Sequence, residues 1–299
     1  MSIVVDNLSK KYDEQVALDS ISFKINKGEI VGFLGPNGAG KSTTMKILAG
    51  FIAPSSGEAI VNEQNVLTHS NEVKKSIGYL PENNPLYEEM YVREFLEFIA
   101  KIHKIKEHKK AVNEAIAKVK LEKESHKKIG QLSKGYQQRV GIAQAIIHDP
   151  SVLILDEPTT GLDPNQLDEI RSLIIALGKT KTILLSTHIM QEVESICDRI
   201  LVINNGKLVA DDAITNEKSK TKTQTFEVEF DKKISLNKLQ KISGVSKIET
   251  KGESWIISSE NENDLRILIS QFAAKNNLLI LTLQKHSDNL EDIFKKLTK

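Results

Sequence analysis

Residues 35–43 constrain the fold of this 299-residue chain more than any other segment. They read Gly-Pro-Asn-Gly-Ala-Gly-Lys-Ser-Thr and match the pattern G-x-x-x-x-G-K-[ST] at four defining positions, Gly35, Gly40, Lys41 and Ser42. An apolar run at residues 30–34 comes directly before them, and apolar residues at helical spacing follow at 45–48. A strand, a glycine-rich loop and a helix in this order predict a phosphate-binding loop within an α/β fold.

The chemistry of this loop follows from its backbone. Glycines let successive N–H groups turn toward an anion, and the N-terminus of the following helix adds positive potential. Lys41 can reach the β- and γ-phosphates of a nucleotide, and the Ser42 hydroxyl can ligate Mg²⁺. The alternative is a glycine-rich turn with a chance lysine, which the strand and the helix on either side disfavour. The loop therefore predicts binding of a nucleoside triphosphate.

Composition limits where such a chain works. Its formal net charge is +1, so charge gives no reason to expect nucleic acid as a partner. A single cysteine, Cys197, excludes an intrachain disulfide, and the first residues do not resemble a signal peptide. No stretch approaches the roughly 18 consecutive apolar residues that span a bilayer. We expect a cytoplasmic protein that reaches the membrane only through a partner.

A second candidate site lies at residues 152–163. Four apolar residues lead to Asp156 and Glu157 at the end of a predicted buried strand, where α/β folds bind their ligands. Asp156 suits the ligand shell of Mg²⁺, and Glu157 is placed to orient or deprotonate an attacking water. A solvent-facing acidic pair is the alternative. The phosphate loop upstream favours the catalytic interpretation.

A third segment, residues 132–139, reads Leu-Ser-Lys-Gly-Tyr-Gln-Gln-Arg and opens an apolar-periodic helix. Ser133 is a suitable N-cap, and Gly135 exposes backbone N–H groups at the helix start, which makes a second anion site. Alone, a serine and a glycine before a helix would indicate only a helix cap. The order of the three segments makes the pattern specific.

With these motifs in this order, residues 1 to about 215 resemble the nucleotide-binding subunits of ABC transporters. Five segments carry the resemblance: residues 35–42 are similar to Walker A, 133–137 to the ABC signature, 156–157 to Walker B with its catalytic carboxylate, 161–163 to the D-loop, and 186–188 to the switch-histidine motif.

The resemblance implies a role for each matching residue. Glu157 and His188 are the implied catalytic residues, and Asp163 is the D-loop aspartate. The aromatic ring of Tyr12 stacks on adenine, with Val16 as its neighbour. The implied Mg²⁺ ligands are Ser42, Glu82 and Asp156. The implied ATP-binding residues are Tyr12, Gly35, Pro36, Asn37, Gly38, Ala39, Gly40, Lys41, Ser42, Thr43, Thr44, Ser133 and Gly135.

The resemblance also implies partners. Two such subunits associate head to tail as a homodimer, so that Ser133 and the Gly135 N–H touch the γ-phosphate in trans, while His188 contacts it in cis. ATP hydrolysis then drives a separate transmembrane permease, which holds the ATP-binding subunit at the inner face of the cell membrane. Residues 77–96 and 290–294 resemble subunits of ABC-2-type exporters, and most nearly the ATP-binding subunit of the gliding-motility-associated ABC transporter.

Two other classes of protein use the same motifs. One is a soluble ABC-type ATPase that acts on DNA or ribosomes, but such proteins carry long coiled coils or a second Walker A, and this sequence has neither. The other is a non-hydrolysing nucleotide sensor, against which the presence of Glu157 and His188 argues.

Three residues depart from the family pattern. Glu82 stands where the family usually has Gln, and Lys134 and Tyr136 stand where Gly and Gln are usual. A carboxylate at position 82 can still ligate Mg²⁺ but adds negative charge, so we expect a steeper Mg²⁺ dependence than with Gln. We expect Lys134 to be solvated.

The expected fold class is α/β, with a RecA-like core, an antiparallel β subdomain and a helical subdomain, followed by a small α+β domain. We place the nucleotide-binding domain at residues 1–217, its helical subdomain at about 85–150, and a C-terminal accessory domain at 218–299. The helical pattern runs from 91 to 147, and a hairpin is expected around residues 204–206. The C-terminal pattern, βαββαβ plus a last helix, predicts a ferredoxin-like domain.

Overall fold

The computed structural model describes residues 1–214, 224–232, 234–240, 242, 244–259 and 264–285. These fall into two compact units, one made of Met1–Ile214 and the other of the described residues from 224 onward. Among the described residues, no helix has the length and apolar character needed to cross a bilayer.

The first unit alternates strands and helices. Their bounds are β1 (Ile3–Tyr12), β2 (Gln15–Ile25), β3 (Ile30–Leu34), α1 (Lys41–Leu48), β4 (Ser56–Val61), β5 (Gln64–Asn65), α2 (Ser70–Ser76), β6 (Ile77–Leu80), α3 (Val92–Ile102), α4 (His108–Lys118), α5 (Lys134–Ile146), β7 (Val152–Asp156), α6 (Pro164–Gly178), β8 (Thr182–Thr187), α7 (Met190–Ile196), β9 (Arg199–Asn204) and β10 (Lys207–Ala213).

A six-stranded sheet forms the centre of this unit. Its strand order is β10-β9-β3-β8-β7-β6, and every neighbouring pair is parallel except β10 with β9. Every residue of β3, β7 and β8 is buried. Parallel strands buried in this way read as continuous apolar runs, which is why the sequence predicts them well.

A second, antiparallel sheet has the order β2-β1-β4-β5. Its inward side chains share one core with β3 and α1, and the rings of Phe23 and Phe33 lie 5.9 Å apart within it. This packing fixes the loop between β3 and α1 against the antiparallel sheet. The predicted fold class is confirmed.

The helical pattern at residues 91–147 is not one continuous helix. It is divided into α3, α4 and α5, with a short 3-10 turn at Ile129–Gln131 before α5. Lys104 and Lys120 adopt the left-handed conformation, with φ of 55° and 57°, directly after α3 and α4. Since glycine or asparagine usually occupies such positions, the sequence gives no sign of these two helix ends.

The predicted hairpin around residues 204–206 is confirmed. Strands β9 and β10 pair in antiparallel register from Asn204 with Lys207, and Asn205 and Gly206 both have positive φ. Positive φ at both central residues is the geometry of a two-residue type I′ turn.

The second unit follows the order β, α, β, β, α, β. Its elements are β11 (Gln224–Phe230), α8 (Leu236–Leu239), β12 (Val245–Lys251), β13 (Ser254–Ser259), α9 (Leu265–Lys275) and β14 (Ile280–Lys285). The sheet is antiparallel with the order β12-β13-β11-β14. Phe226, Val228, Ile257 and Ile269 lie in its core. Residues 215–223 and 286–299, the second of which would hold the last predicted helix, lie outside the described residues.

Candidate functional site

The candidate site lies at one edge of the six-stranded sheet. The carboxyl ends of four parallel strands meet there, because Leu34 pairs with Thr187, Asp156 with Ser186, and Leu80 with Leu155. The chain leaves these strands toward Gly35, Glu82, Glu157 and His188. Four segments that are up to about 150 residues apart in sequence are therefore brought to one crevice, as parallel α/β sheets require.

The phosphate loop depends on two glycines with positive φ. Gly38 has φ 79° and Gly40, the residue before α1, has φ 113°. A side chain on Gly40 would also collide with the antiparallel sheet, since its Cβ would lie 2.7 Å from Leu18 Cδ2 and 2.8 Å from Ala17 O. The loop can therefore approach β2 closely only because glycine stands at position 40.

Lys41 is buried at the start of α1. Its Nζ atom donates hydrogen bonds to Gly35 O at 2.7 Å and to Pro36 O at 3.3 Å. Glu157 Oε1 lies 3.7 Å from the same nitrogen, and both side chains are more than nine-tenths buried. A buried cation needs such compensation, so the phosphate loop and the end of β7 are joined electrostatically.

Ser186 on β8 organises the acidic pair. Its hydroxyl donates to Asp156 Oδ1 at 2.5 Å and accepts from the backbone N–H of Glu157 at 2.9 Å. Asp156 and Ser186 are both almost completely buried. One serine thus fixes the side chain of one carboxylate and the backbone of the next.

Glu157 is the residue on which the contacts converge. Its backbone has a positive φ of 51°, which is uncommon for a residue with a side chain and typical of functional sites. Its Oε2 atom accepts a hydrogen bond from Thr160 Oγ1 at 3.1 Å and lies 3.0 Å from His188 Nδ1. The carboxylate is therefore held by a lysine on one oxygen and by a histidine and a hydroxyl on the other.

Lys41, Glu157, Thr160 and His188 open onto a cleft of about 530 Å³, whereas Asp156 and Ser186 are buried and are not among its lining residues. It is lined by Tyr12, Gln15, Ala17, Asn37, Gly38, Gly40, Lys41, Ser42, Thr43, Glu82, Glu157, Thr160 and His188. Tyr12 is 45% exposed and stands at its edge. Val16 is not among the lining residues, because alternate residues of a strand point to opposite faces. Burial and the charges of Asp156 and Glu82 raise the pKa of Tyr79 on the neighbouring strand β6.

Some predicted site residues do not line the cleft. Gly35 and Pro36 contribute carbonyl groups to Lys41, and Ala39 is buried within the loop. The Thr44 hydroxyl donates to Gly40 O at 3.0 Å, so it serves helix α1.

The signature segment and Asp163 also lie outside the cleft lining. Ser133 takes the N-cap position of α5 and is exposed, but its side chain makes no capping hydrogen bond, so its hydroxyl is not used by the helix. The α-carbon of Gly135 packs against the side chain of Gln166. Asp163 caps α6 by accepting a hydrogen bond from Gln166 N at 2.9 Å. Lys134 is exposed, and its ammonium group lies beside Gly161.

Sequence reasoning assigned no role in the site to four residues that have one. Ser186 and Thr160 hold the acidic pair, and Gln15 and Ala17 line the cleft. The alternation of β2 could have found Gln15 and Ala17, since both share a face that excludes Val16. The contact between Ser186 and Asp156 joins two strands and has no local sequence signal.

The donor set around the cleft fits a magnesium nucleotide. Ser42, Asp156 and Glu82 offer oxygen atoms alone, which are the ligands that Mg²⁺ prefers. Within the described part of the chain, no group of three His, Cys, Asp or Glu side chains could hold a metal by itself. Mg²⁺ in nucleotide sites is commonly bound through one or two carboxylates together with substrate phosphates, and Asp156 and Glu82 supply two carboxylates here.

A phosphate loop after β3, a buried acidic pair at the end of β7 and a histidine beside the second carboxylate define a P-loop nucleoside triphosphatase. Comparisons with known proteins identify its family. A sequence model described as "ABC transporter" matches residues 18–160.

The bacitracin transport ATP-binding protein BcrA of Bacillus licheniformis is 34% identical over 99% of this chain and 96% of its own length. The Nod factor export ATP-binding protein I of Burkholderia pseudomallei (strain 1710b) is 38% identical over 69% of each chain. Two solved structures of MJ0796, a bacterial ABC transporter cassette, align with a TM-score of 0.66 and 27% identity over 72% of this chain and 99% of theirs. One is described as dimeric and the other as a dimeric post-hydrolysis state bound to ADP and Pi.

The chain therefore belongs to the family of ABC transporter ATP-binding proteins. It binds ATP and is an ATPase.

Proposed function

We propose that this protein hydrolyses ATP as one half of a head-to-tail dimer and thereby drives the permease of an ABC exporter. The observation that carries the catalytic part is the position of Glu157, whose carboxylate lies between Lys41 Nζ at 3.7 Å and His188 Nδ1 at 3.0 Å in the cleft. Each of these side chains comes from a different segment at the same sheet edge.

Glu157 acts as the general base. Its carboxylate accepts a proton from the attacking water or orients it, and Thr160 and His188 fix the oxygen that does so. Because an ionised carboxylate only accepts hydrogen bonds, His188 donates one from Nδ1 in this contact.

Lys41 and the phosphate loop supply electrostatic stabilisation. Lys41 carries the positive charge, and Gly38 and Gly40 of the phosphate loop line the same cleft. Fixed charges and dipoles in a cleft cost no reorganisation during the reaction, which is the main source of catalysis in phosphoryl transfer. Ser42, Asp156 and Glu82 are the proposed Mg²⁺ ligands; the ion would neutralise phosphate charge.

The proposed dimer gives a role to Ser133, Gly135 and Asp163, which do not line the cleft. Ser133 is exposed at the start of α5 with its hydroxyl unused by the helix, and Asp163 follows on the D-loop. In a symmetric pair each chain presents these residues to the other's phosphate loop, which places Ser133 and Gly135 in trans. The dimeric description of the MJ0796 structures supports this arrangement.

The transport role rests on relatives. BcrA is described as a bacitracin transport protein and the Burkholderia pseudomallei relative as a Nod factor export protein, which favours an exporter over an ATPase that acts on DNA or ribosomes. We propose that the protein sits at the inner face of the cell membrane, held there by its permease. The narrower assignments to an ABC-2-type exporter and to the gliding-motility type rest on the resemblance of residues 77–96 and 290–294, of which 290–294 lie outside the described residues.

The test uses Glu157→Gln, which keeps the size of the side chain but removes the base. We expect hydrolysis to fall by at least about 100-fold, as for loss of a general base, while the variant with ATP elutes at the mass of a dimer in light scattering. Glu114→Gln, which changes an exposed glutamate on α4, is the matched control and should stay at wild-type rate. Glu157→Gln that still hydrolyses ATP at the wild-type rate would contradict the catalytic assignment. If it stays monomeric with ATP, alone and with its permease, the dimer is wrong.

A further inference from the structure

Glu192 is a buried carboxylate that the proposed reaction does not use. It lies on α7, four residues after His188, and is 1% exposed. Its Oε2 atom accepts two hydrogen bonds, from Thr159 Oγ1 at 2.8 Å and from Thr187 Oγ1 at 2.7 Å. Its Oε1 atom is also buried, and no group in the described part of the chain forms a hydrogen bond with it.

The two threonines lie beside the candidate catalytic residues, at the carboxyl ends of β7 and β8. Thr159 lies two residues after Glu157, and Thr187 directly precedes His188. The Thr187 hydroxyl also accepts a hydrogen bond from Ile189 N at 3.1 Å, so it holds the backbone on the far side of His188. We call the unit of Thr159, Glu192 and Thr187 the threonine brace.

A contribution to the stability of the fold does not explain why a carboxylate is buried at the centre of the threonine brace. A carboxylate moved out of water loses its hydration, and two hydroxyl donors on one oxygen restore only part of it while the other oxygen has none. An apolar residue would fill the same space at lower cost, as replacements of buried charges by apolar side chains show in other proteins. The Glu192 carboxylate instead fixes the distance between the carboxyl ends of β7 and β8.

We propose that Glu192 is a positioning residue for ATP hydrolysis, which sets the placement of His188 relative to Glu157 through the two threonines. This inference rests on the proposed catalytic role of Glu157. The contact between His188 Nδ1 and Glu157 Oε2 bridges the same two strand ends as the brace. Glu157 also has a positive φ, a conformation that persists only where surrounding contacts hold it.

The test compares two threonines of one strand. Thr187→Val removes a brace hydroxyl at the carboxyl end of β8, and Thr182→Val removes an equally buried hydroxyl at its other end, where it contacts Ser2 and Gly28 N. We expect both variants to lower Tm. Of the two, only Thr187→Val should lower kcat, by about tenfold or more, and its KM for ATP should stay within about twofold of wild type. Thr159→Val should behave as Thr187→Val does.

Glu192 itself is tested by rescue. The amide oxygen of Glu192→Gln can still accept both hydroxyl protons, so this variant should keep a kcat within about threefold of wild type, whereas Glu192→Ala should lose at least about tenfold. Adding Thr159→Val to Glu192→Ala should cause little further loss, because the partner is already gone.

Two results would overturn the inference: kcat of Thr187→Val no lower than that of Thr182→Val, or wild-type kcat in Glu192→Ala. The ATPase rates of these variants can be compared with that of Glu157→Gln, which separates the two proposals. If Glu157→Gln is inactive while the brace variants are at wild-type rate, only the positioning role fails. If Glu157→Gln hydrolyses ATP normally, the catalytic assignment fails and the positioning role fails with it.

Discussion

The Nδ1 atom of His188 lies 3.0 Å from Oε2 of Glu157, which joins the end of β8 to the end of β7. The other oxygen of Glu157 lies 3.7 Å from Lys41 Nζ at the start of α1. One carboxylate thus connects three segments that the sequence places far apart. A change at any of the three should therefore affect hydrolysis.

Lys41 should be needed for ATP binding. We expect Lys41→Met to weaken the binding of a fluorescent ATP analogue by about 10- to 100-fold, since a charge-assisted hydrogen bond contributes roughly 1.5–3 kcal/mol. Lys46→Met, on the exposed face of the same helix, is the control and should bind normally. Equal affinities of the two variants, measured by anisotropy titration, would exclude this role for Lys41.

Glu82 should control the response to Mg²⁺. It lines the cleft and is exposed, so Glu82→Gln should fold normally and remain active. Removal of its negative charge should make the ATPase rate depend less steeply on Mg²⁺ concentration, because a carboxylate binds the ion more strongly than an amide does. The measurement is a Mg²⁺ titration of the rate at fixed ATP. Superimposable curves for the two proteins would show that Glu82 is not a ligand.

His148 should make stability depend on pH. Its Nε2 lies 2.8 Å from Ile77 O, and its ring stacks on His103 with centroids 3.9 Å apart. Burial first, and then the charge of His103, lower the pKa of His148 to about 4. The unfolded chain, with the ordinary value of about 6.5, binds a proton that the folded protein does not. The free energy of unfolding should therefore fall as pH decreases from 6.5 to 4.

We expect this contribution to be about 2 kcal/mol, after allowance for partial exposure of the ring. Urea unfolding at both pH values measures it. Between pH 6.5 and pH 4, the free energy of unfolding of His148→Gln should fall by about 2 kcal/mol less than that of the wild type. His126→Gln, which alters an exposed histidine, should lose as much as the wild type. A loss in His148→Gln as large as that of the wild type would contradict the prediction.

Local sequence patterns predicted the parts of this protein that depend on neighbouring residues. The loop at 35–43 and the strand that ends at Asp156 each carry their signal within about ten residues. Lys104 and Lys120 show the limit of such patterns, since they end helices in the left-handed conformation without the usual glycine.

Contacts between residues that are far apart in the chain could not be predicted from the sequence. Glu192 reads as an ordinary polar residue of a short helix, and only the packing of α7 reveals that it contacts Thr159, 33 residues away. Its place on the face shared by Val193 and Ile196 was the one available sign that it is buried.

The central claim is that each ATP site is completed by a second chain, and complementation tests it most directly. The two inactive chains are Glu157→Gln, which lacks the base, and Ser133→Arg, which blocks the signature at an exposed position without a capping bond. In a mixed dimer, one site combines both defects and the other combines the intact halves.

The measurement is the ATPase rate of an equimolar mixture against each variant alone. We predict that each variant alone is inactive and that the mixture recovers about a quarter of the wild-type rate, because half of randomly formed dimers are mixed and each has one intact site. A mixture no more active than the separate variants would contradict the composite site. So would a Ser133→Arg protein that is fully active by itself.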